Sequence, residues 1–182
     1  MEGETPLQGK RKSGKRILFS PESQCLRSLL PMLAHSSHRA LVLWALDCAQ
    51  TALTAFEAER PDEPRPRIAL EKCKAWSSGE IKMPEAKRAI LAAHAAAKEE
   101  SDHRLASLAH AVGQAGSTVH VGTHAPGLVF YELTAVALGA GEERESALAE
   151  KIEFYTRRLS YWQERADDPG RDWAAFLQDR TK

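Results

Sequence analysis

Apolar residues recur at helical spacing in several separate segments of the 182-residue chain. The clearest pattern lies near the carboxyl end, where apolar side chains alternate spacings of four and three residues: Leu148, Ile152, Tyr155, Leu159, Trp162 and Ala166. This spacing places them on one face of an α-helix whose flanks are charged. The turn sequence at 167–170 ends that helix. We expect the short amphipathic segment that follows, with Trp173, Phe176 and Leu177, to fold back on the domain.

A second apolar pattern predicts a helix at about residues 38–59, with Ser36 or Ser37 as its N-cap. Its apolar side chains cover several faces, which is typical of a helix surrounded by others. Trp44 belongs to this pattern, and we interpret it as a core residue in preference to a ligand-binding one.

Asp47 is the only charged residue between Ala40 and Phe56. One interpretation is a carboxylate that orients a histidine or faces a pocket. The alternative is an exposed residue, or one paired with an arginine, because even central helices usually expose some surface.

Proline and glycine mark the ends of the next helices. Pro66 is well placed to start a helix that runs to about Trp76. We interpret Trp76 too as a core residue in preference to a ligand-binding one. The sequence Ser77-Ser78-Gly79 ends that helix. Pro84 opens an alanine-rich helix that reaches Ala97.

The segment after Ser101 predicts two further helices. One runs from Ser101 to a turn near Gly113 and Gly116, and the other from about Thr118 to Leu138. Pro126 conflicts with a straight helix, so it predicts either a kink or a start delayed until after Thr123.

Composition supports a helical fold. Alanine occurs 29 times, whereas valine and isoleucine together occur 11 times, and alanine favours helices as β-branched residues favour strands. We therefore predict an all-α, single-domain bundle of about six helices in residues 17–182, with a short helix within 17–35. Residues 1–16 are basic and almost free of apolar side chains, which predicts a disordered tail.

Charge and cysteine content narrow the function classes. The chain carries 25 basic and 25 acidic residues, and a net charge of zero argues against general nucleic-acid binding. Residues 105–131 lack charged side chains, but their histidines, serines and threonines do not suit lipid, so we predict no membrane span. The odd number of cysteines, three, favours reduced thiols in the cytoplasm.

Three histidines in this charge-free segment form a candidate metal site. His120 and His124 are four residues apart, on one helix face that Tyr131 continues. If the chain makes a hairpin near Gly116, His110 lies level with them, and three histidines can hold zinc with an open fourth position. The alternative is that they bind one another, backbone carbonyls or water. His94, on the alanine-rich helix, either joins them or packs.

No motif for a nucleophile or for nucleotide binding is present. The chain has no His-Glu-x-x-His, Gly-x-Ser-x-Gly or Gly-x-Gly-x-x-Gly sequence. We therefore predict no catalytic residues and no required cofactor, with zinc as the single candidate. An enzyme is the less favoured class.

Several segments together resemble the immunity-protein-five-like group of bacterial immunity proteins from polymorphic toxin systems. The resemblance covers roughly residues 38–138 and rests on these sequences: RALVLWALDCA at 39–49, RPR at 65–67 with Glu71, AW at 75–76, GEI at 79–81, AAHAAA at 92–97, HAV at 110–112, HV at 120–121 and HA at 124–125. It implies an all-α cytoplasmic protein that binds and neutralises a cognate toxin. It implies no catalytic residues.

The sequence thus supports two functions from different classes. The first is a toxin-binding immunity protein, whose partner is a protein and neither nucleic acid nor membrane. Residues 142–168 hold eight acids and five bases, which is either a face for a basic toxin or an ordinary solvated helix surface. The second is a small helical metal-binding protein or hydrolase that uses His110, His120 and His124.

Overall fold

The computed structural model describes residues 17–178, and all regular secondary structure in that range is helical. The α-helices are α1 (Leu29–His35), α2 (His38–Glu57), α3 (Arg65–Ser77), α4 (Met83–Glu99), α5 (His103–His120), α6 (Ala125–Gly139), α7 (Arg144–Arg165) and α8 (Ala175–Gln178). Short 3₁₀ turns occupy Gln24–Leu26, Gly122–His124 and Gly141–Glu143. The all-α prediction is confirmed. The predicted count of six is wrong, because the short helices α1 and α8 add to the six longer ones.

Helices α2 and α5 form the centre of the molecule. The Ser37 hydroxyl accepts a hydrogen bond from the Ala40 amide and so caps α2, as one of the two predicted caps. Side chains on nearly every face of α2 are buried, which confirms the predicted central helix. Helix α5 packs against α2, α3, α4 and α6, and its N-cap is Asp102, one residue after the predicted start at Ser101.

The predicted turn near Gly116 is wrong, because α5 continues through both glycines to His120. The glycines instead let neighbouring side chains approach the helix. A Cβ at Gly113 would lie 2.6 Å from Cε1 of His94, and one at Gly116 would lie 2.7 Å from Sγ of Cys73. Tertiary packing therefore outweighs the weak helix propensity of glycine here.

The chain turns between His120 and Ala125 instead. Val121 is extended, with φ −150° and ψ 130°, and the 3₁₀ turn Gly122–His124 follows it. Pro126 then lies in the first turn of α6, where its missing amide hydrogen costs nothing. The delayed start is the correct one of the two predictions.

The segment after α7 folds back across the ends of α2 and α3, as predicted. The Ala174 amide donates to the Ser77 carbonyl at 2.8 Å, and Leu177 is buried in the core. The Arg39 guanidinium donates to the carbonyl oxygens of Leu177 and Gln178 and to the Asp167 carboxylate. These contacts fix the segment as a firm part of the surface.

No helix in residues 17–178 has the length and apolar character needed to cross a bilayer. The disordered tail predicted for residues 1–16 lies outside the described residues.

Candidate functional site

Four of the predicted site residues meet where α4, α5 and α6 pack together. Nδ1 of His94 and Nδ1 of His110 are 2.8 Å apart, so one ring donates a hydrogen bond and the other accepts it. Tyr131 of α6 lies beside His110, with ring centroids 4.8 Å apart. His124, at the start of α6, contacts Oε1 of Gln114 through Nδ1 at 3.2 Å.

Burial lowers the pKa of His94, and the positive charges of Lys98 and His124 lower it further. A neutral His94 is therefore the favoured state near neutral pH. The sequence alternative, in which His110, His120 and His124 bind one another, did not include His94, the histidine that His110 contacts.

His120 lies apart from the histidine pair. It is exposed at the end of α5, and its ring stacks on Trp76 with centroids 6.1 Å apart. The hairpin that was to bring His120 level with His110 is absent, because both belong to the one continuous helix α5. At about 1.5 Å rise per residue, the two residues are roughly 15 Å apart along the axis.

The hairpin on which the predicted zinc geometry depended is therefore absent. Among residues 17–178, no three His, Cys, Asp or Glu side chains are grouped so that they could hold a metal ion. Zinc binding by His110, His120 and His124 stays a sequence-based prediction without this support.

Trp44 and Trp76 are core residues, which is the interpretation that the sequence favoured. Trp44 is fully buried, and its indole N–H donates to the Tyr155 carbonyl at 3.0 Å. Trp76 is 5% exposed and packs between His120 and Phe176.

Asp47 forms an ion pair, the arginine alternative of the sequence analysis. Nε of Arg158 lies 2.6 Å from its Oδ2, and the indole N–H of Trp162 donates to the same oxygen at 2.8 Å. The carboxylate thus joins α2 to α7, and its edge also lines a surface cleft next to the end of α3.

A buried charge network that sequence reasoning missed connects α2, α6 and α7. Nζ of Lys151 lies 2.6 Å from Oε1 of Glu132, and the Tyr155 hydroxyl donates to Oε2 at 2.5 Å. The Thr51 hydroxyl completes the shell of Glu132, 2.7 Å from Oε1. Glu132 is the only charged residue of α6, the same signal that drew attention to Asp47.

Burial and the charge of this network keep the nearby thiol and phenol groups protonated. Burial, with the charge of Glu132, raises the pKa of the Cys48 thiol and of the Tyr155 hydroxyl well above their ordinary values. Burial alone raises the pKa of Cys73 to about 12. Neither buried cysteine is a thiolate near neutral pH, so neither has the character of a nucleophile.

A cleft with a cavity volume of about 1030 Å³ opens between α2, the end of α3, and the chain after Tyr161. We call it the C-terminal cleft. Its lining combines apolar side chains, five carboxylates and two cations: Leu43, Leu46, Asp47, Gln50, Glu71, Lys74, Ala75, Ser77, Ser78, Glu80, Trp162, Asp168, Pro169, Gly170, Arg171, Asp172 and Trp173. Sequence reasoning found only Asp47 of these as a site residue, because the lining comes from three distant parts of the chain.

The chain matches a known protein family. A family model described as "Imm-5 like putative immunity protein" matches residues 32–158. No curated protein and no solved structure matches the chain. The family match runs from within α1 to the middle of α7 and therefore contains the two central helices.

Proposed function

The chain belongs to the family of Imm-5 like putative immunity proteins, and from that premise we propose that it binds a cognate bacterial toxin in the cytoplasm and neutralises it. The observation that carries the proposal is the extent of the family match, 127 residues from 32 to 158. We include a polymorphic toxin system in this proposal as the source of that toxin, in line with the sequence resemblance.

The structure suits an inhibitor that acts by binding. An inhibitor needs a firm scaffold and a complementary surface of about 800 Å² per partner, and no reactive group. The central helices supply an apolar core, while the Glu132 network and the Asp47–Arg158 pair tie α7 to that core. A surface held this firmly loses little conformational entropy when a partner binds.

Capture of the toxin tests the proposal. Tagged protein purified from its native host, under conditions that induce competition with other bacteria, should retain a stoichiometric partner that mass spectrometry identifies. A partner whose own expression arrests growth supports toxin binding. Recovery of the chain alone, from cells in which the candidate toxin is present, would exclude it.

A further inference from the structure

The C-terminal cleft has the chemistry of a site for a positively charged peptide segment. We propose that it receives an arginine- or lysine-bearing segment of the toxin, an assignment that rests on the proposed function and names the surface involved. The carboxylates, the indole rings and the position of the cleft relative to the family match each support this partner.

The carboxylates give the cleft a negative charge that the protein itself does not cancel. Five carboxylates line the cleft against the two cations Lys74 and Arg171. Asp47 is neutralised from below by Arg158, but Glu71, Asp168 and Asp172 enter no ion pair within residues 17–178. An excess of one sign of charge on a concave surface attracts ligands of the opposite sign.

The indole rings at the cleft already carry guanidinium groups of the protein itself. The guanidinium of Arg171 lies over the Trp162 ring, 5.5 Å from its centroid, and that of Arg39 lies over Trp173 at 5.3 Å. Both tryptophans are half-buried at the cleft. A planar guanidinium stacks on such faces while its N–H groups reach carboxylates. The protein's own arginines thus illustrate the contacts that a partner arginine would make.

One wall of the cleft lies inside the region matched by the family model, and the other lies outside it. Glu71, Lys74 and the residues from α2 lie within the family match, whereas the wall from Trp162 to Trp173 lies beyond its last residue, 158. That second wall is held in place by the Ala174–Ser77 bond and by Arg39. The geometry therefore combines a scaffold common to the family with a wall outside the matched region, an arrangement suited to the choice of a particular toxin.

A model peptide tests the chemistry of the cleft even before the toxin is identified. The probe is a short acetylated peptide of alternating arginine and glycine, titrated into the full chain by calorimetry at low ionic strength, with a glutamate-glycine peptide as its counterpart. We expect saturable binding of one arginine peptide per chain, weakened by added salt because the attraction is electrostatic. No saturable binding, or equal binding of the two peptides, overturns the proposal.

Two charge-reversal variants locate the binding. Glu71→Lys with Asp172→Lys changes one acid on each wall, and Asp62→Lys with Glu150→Lys is the matched control. The control changes the net charge equally at exposed positions outside the cleft. We expect the cleft variant to lose affinity for the peptide at least about tenfold, a free-energy change of about 1.4 kcal/mol, and the control to stay within about twofold. Equal losses would show a diffuse charge effect and overturn the proposal; unchanged melting curves confirm that both variants fold.

The captured toxin separates this proposal from the proposed function. If wild-type protein and the cleft variant bind the toxin equally, the assignment of the cleft is wrong and toxin binding stands. If wild-type protein binds no toxin, the proposed function fails, and the peptide titration still decides whether the cleft takes cationic segments.

Discussion

Glu132 and Lys151 form a buried ion pair whose side chains are 4% and 14% exposed. At the scale of single residues, this pair gives the sharpest stability prediction. Removal of one partner leaves an uncompensated charge in the core, and such changes cost about 3–5 kcal/mol. We expect Lys151→Met to lower the free energy of unfolding by about that amount, measured by urea denaturation.

Two further variants complete this test. The exposed pair Glu153–Arg157 lies on the same helix, and Arg157→Met should cost less than about 0.5 kcal/mol. Glu132→Gln combined with Lys151→Met should recover part of the loss, because no isolated charge is left in the core. A similar cost for Lys151→Met and Arg157→Met would show that the Glu132 network is not a buried interaction.

The His94–His110 pair predicts a pH dependence of stability. Burial lowers the pKa of His94 in the folded protein below its unfolded value of about 6.5, so the unfolded chain binds more protons as the pH falls. The stabilisation is complete above about pH 6.5 and declines as the pH falls from there toward the folded pKa. Urea denaturation between about pH 7.5 and 5.5 should show this decline.

Substitution of His94 isolates its contribution. His94→Gln should make the decline between these pH values shallower and should cost about 1 kcal/mol at the higher pH through the lost hydrogen bond. His35→Gln, which changes an exposed histidine on α1, is the control. An unchanged slope in His94→Gln would contradict the assignment.

At the scale of elements, the close packing of α5 explains why a glycine-rich segment is helical. Gly116 faces Sγ of Cys73 and Cγ1 of Ile90, at 2.7 and 3.1 Å from a Cβ built on it. Gly116→Ala gains helix propensity but overpacks a buried contact, which typically costs 1–3 kcal/mol. We expect a net loss of about 1–2 kcal/mol in the free energy of unfolding, measured by thermal and urea denaturation.

Gly139→Ala, at the end of α6, is the matched control for Gly116→Ala. A Cβ there would meet only the flexible side chain of Arg104 at 3.0 Å, at the end of α6. Gly139→Ala should therefore be neutral or slightly stabilising. If Gly116→Ala stabilised the protein as much as Gly139→Ala, the close approach of α3 and α4 to α5 would be wrong.

The elements that the sequence predicted well are those with strong periodicity. The apolar stripe of α7 and the many-sided burial of α2 both have the expected positions, and Pro126 correctly delayed α6. The hairpin at Gly116 failed because local sequence does not show whether a glycine ends a helix or admits a neighbour. That choice depends on Cys73 and Ile90, which belong to other helices.

The candidate site shows the same limit at the scale of the whole molecule. The sequence marked Asp47 by its isolation, and the same criterion applied to α6 would have found Glu132. The sequence could not identify the C-terminal cleft, because Glu71 and Asp172 line the same cleft only after the chain folds back beyond α7. For the same reason it placed His120 with His110, whereas His94 is the residue in contact.

Neutralisation of a toxin is the central claim for the whole molecule, and a growth assay measures it most directly. The toxin captured from the native host would be expressed from an inducible plasmid in a sensitive bacterium, together with this chain or with an empty vector. We expect the wild-type chain to restore growth to the level of uninduced cells. Growth arrest that is equal with and without the chain, at verified expression of both proteins, would contradict it.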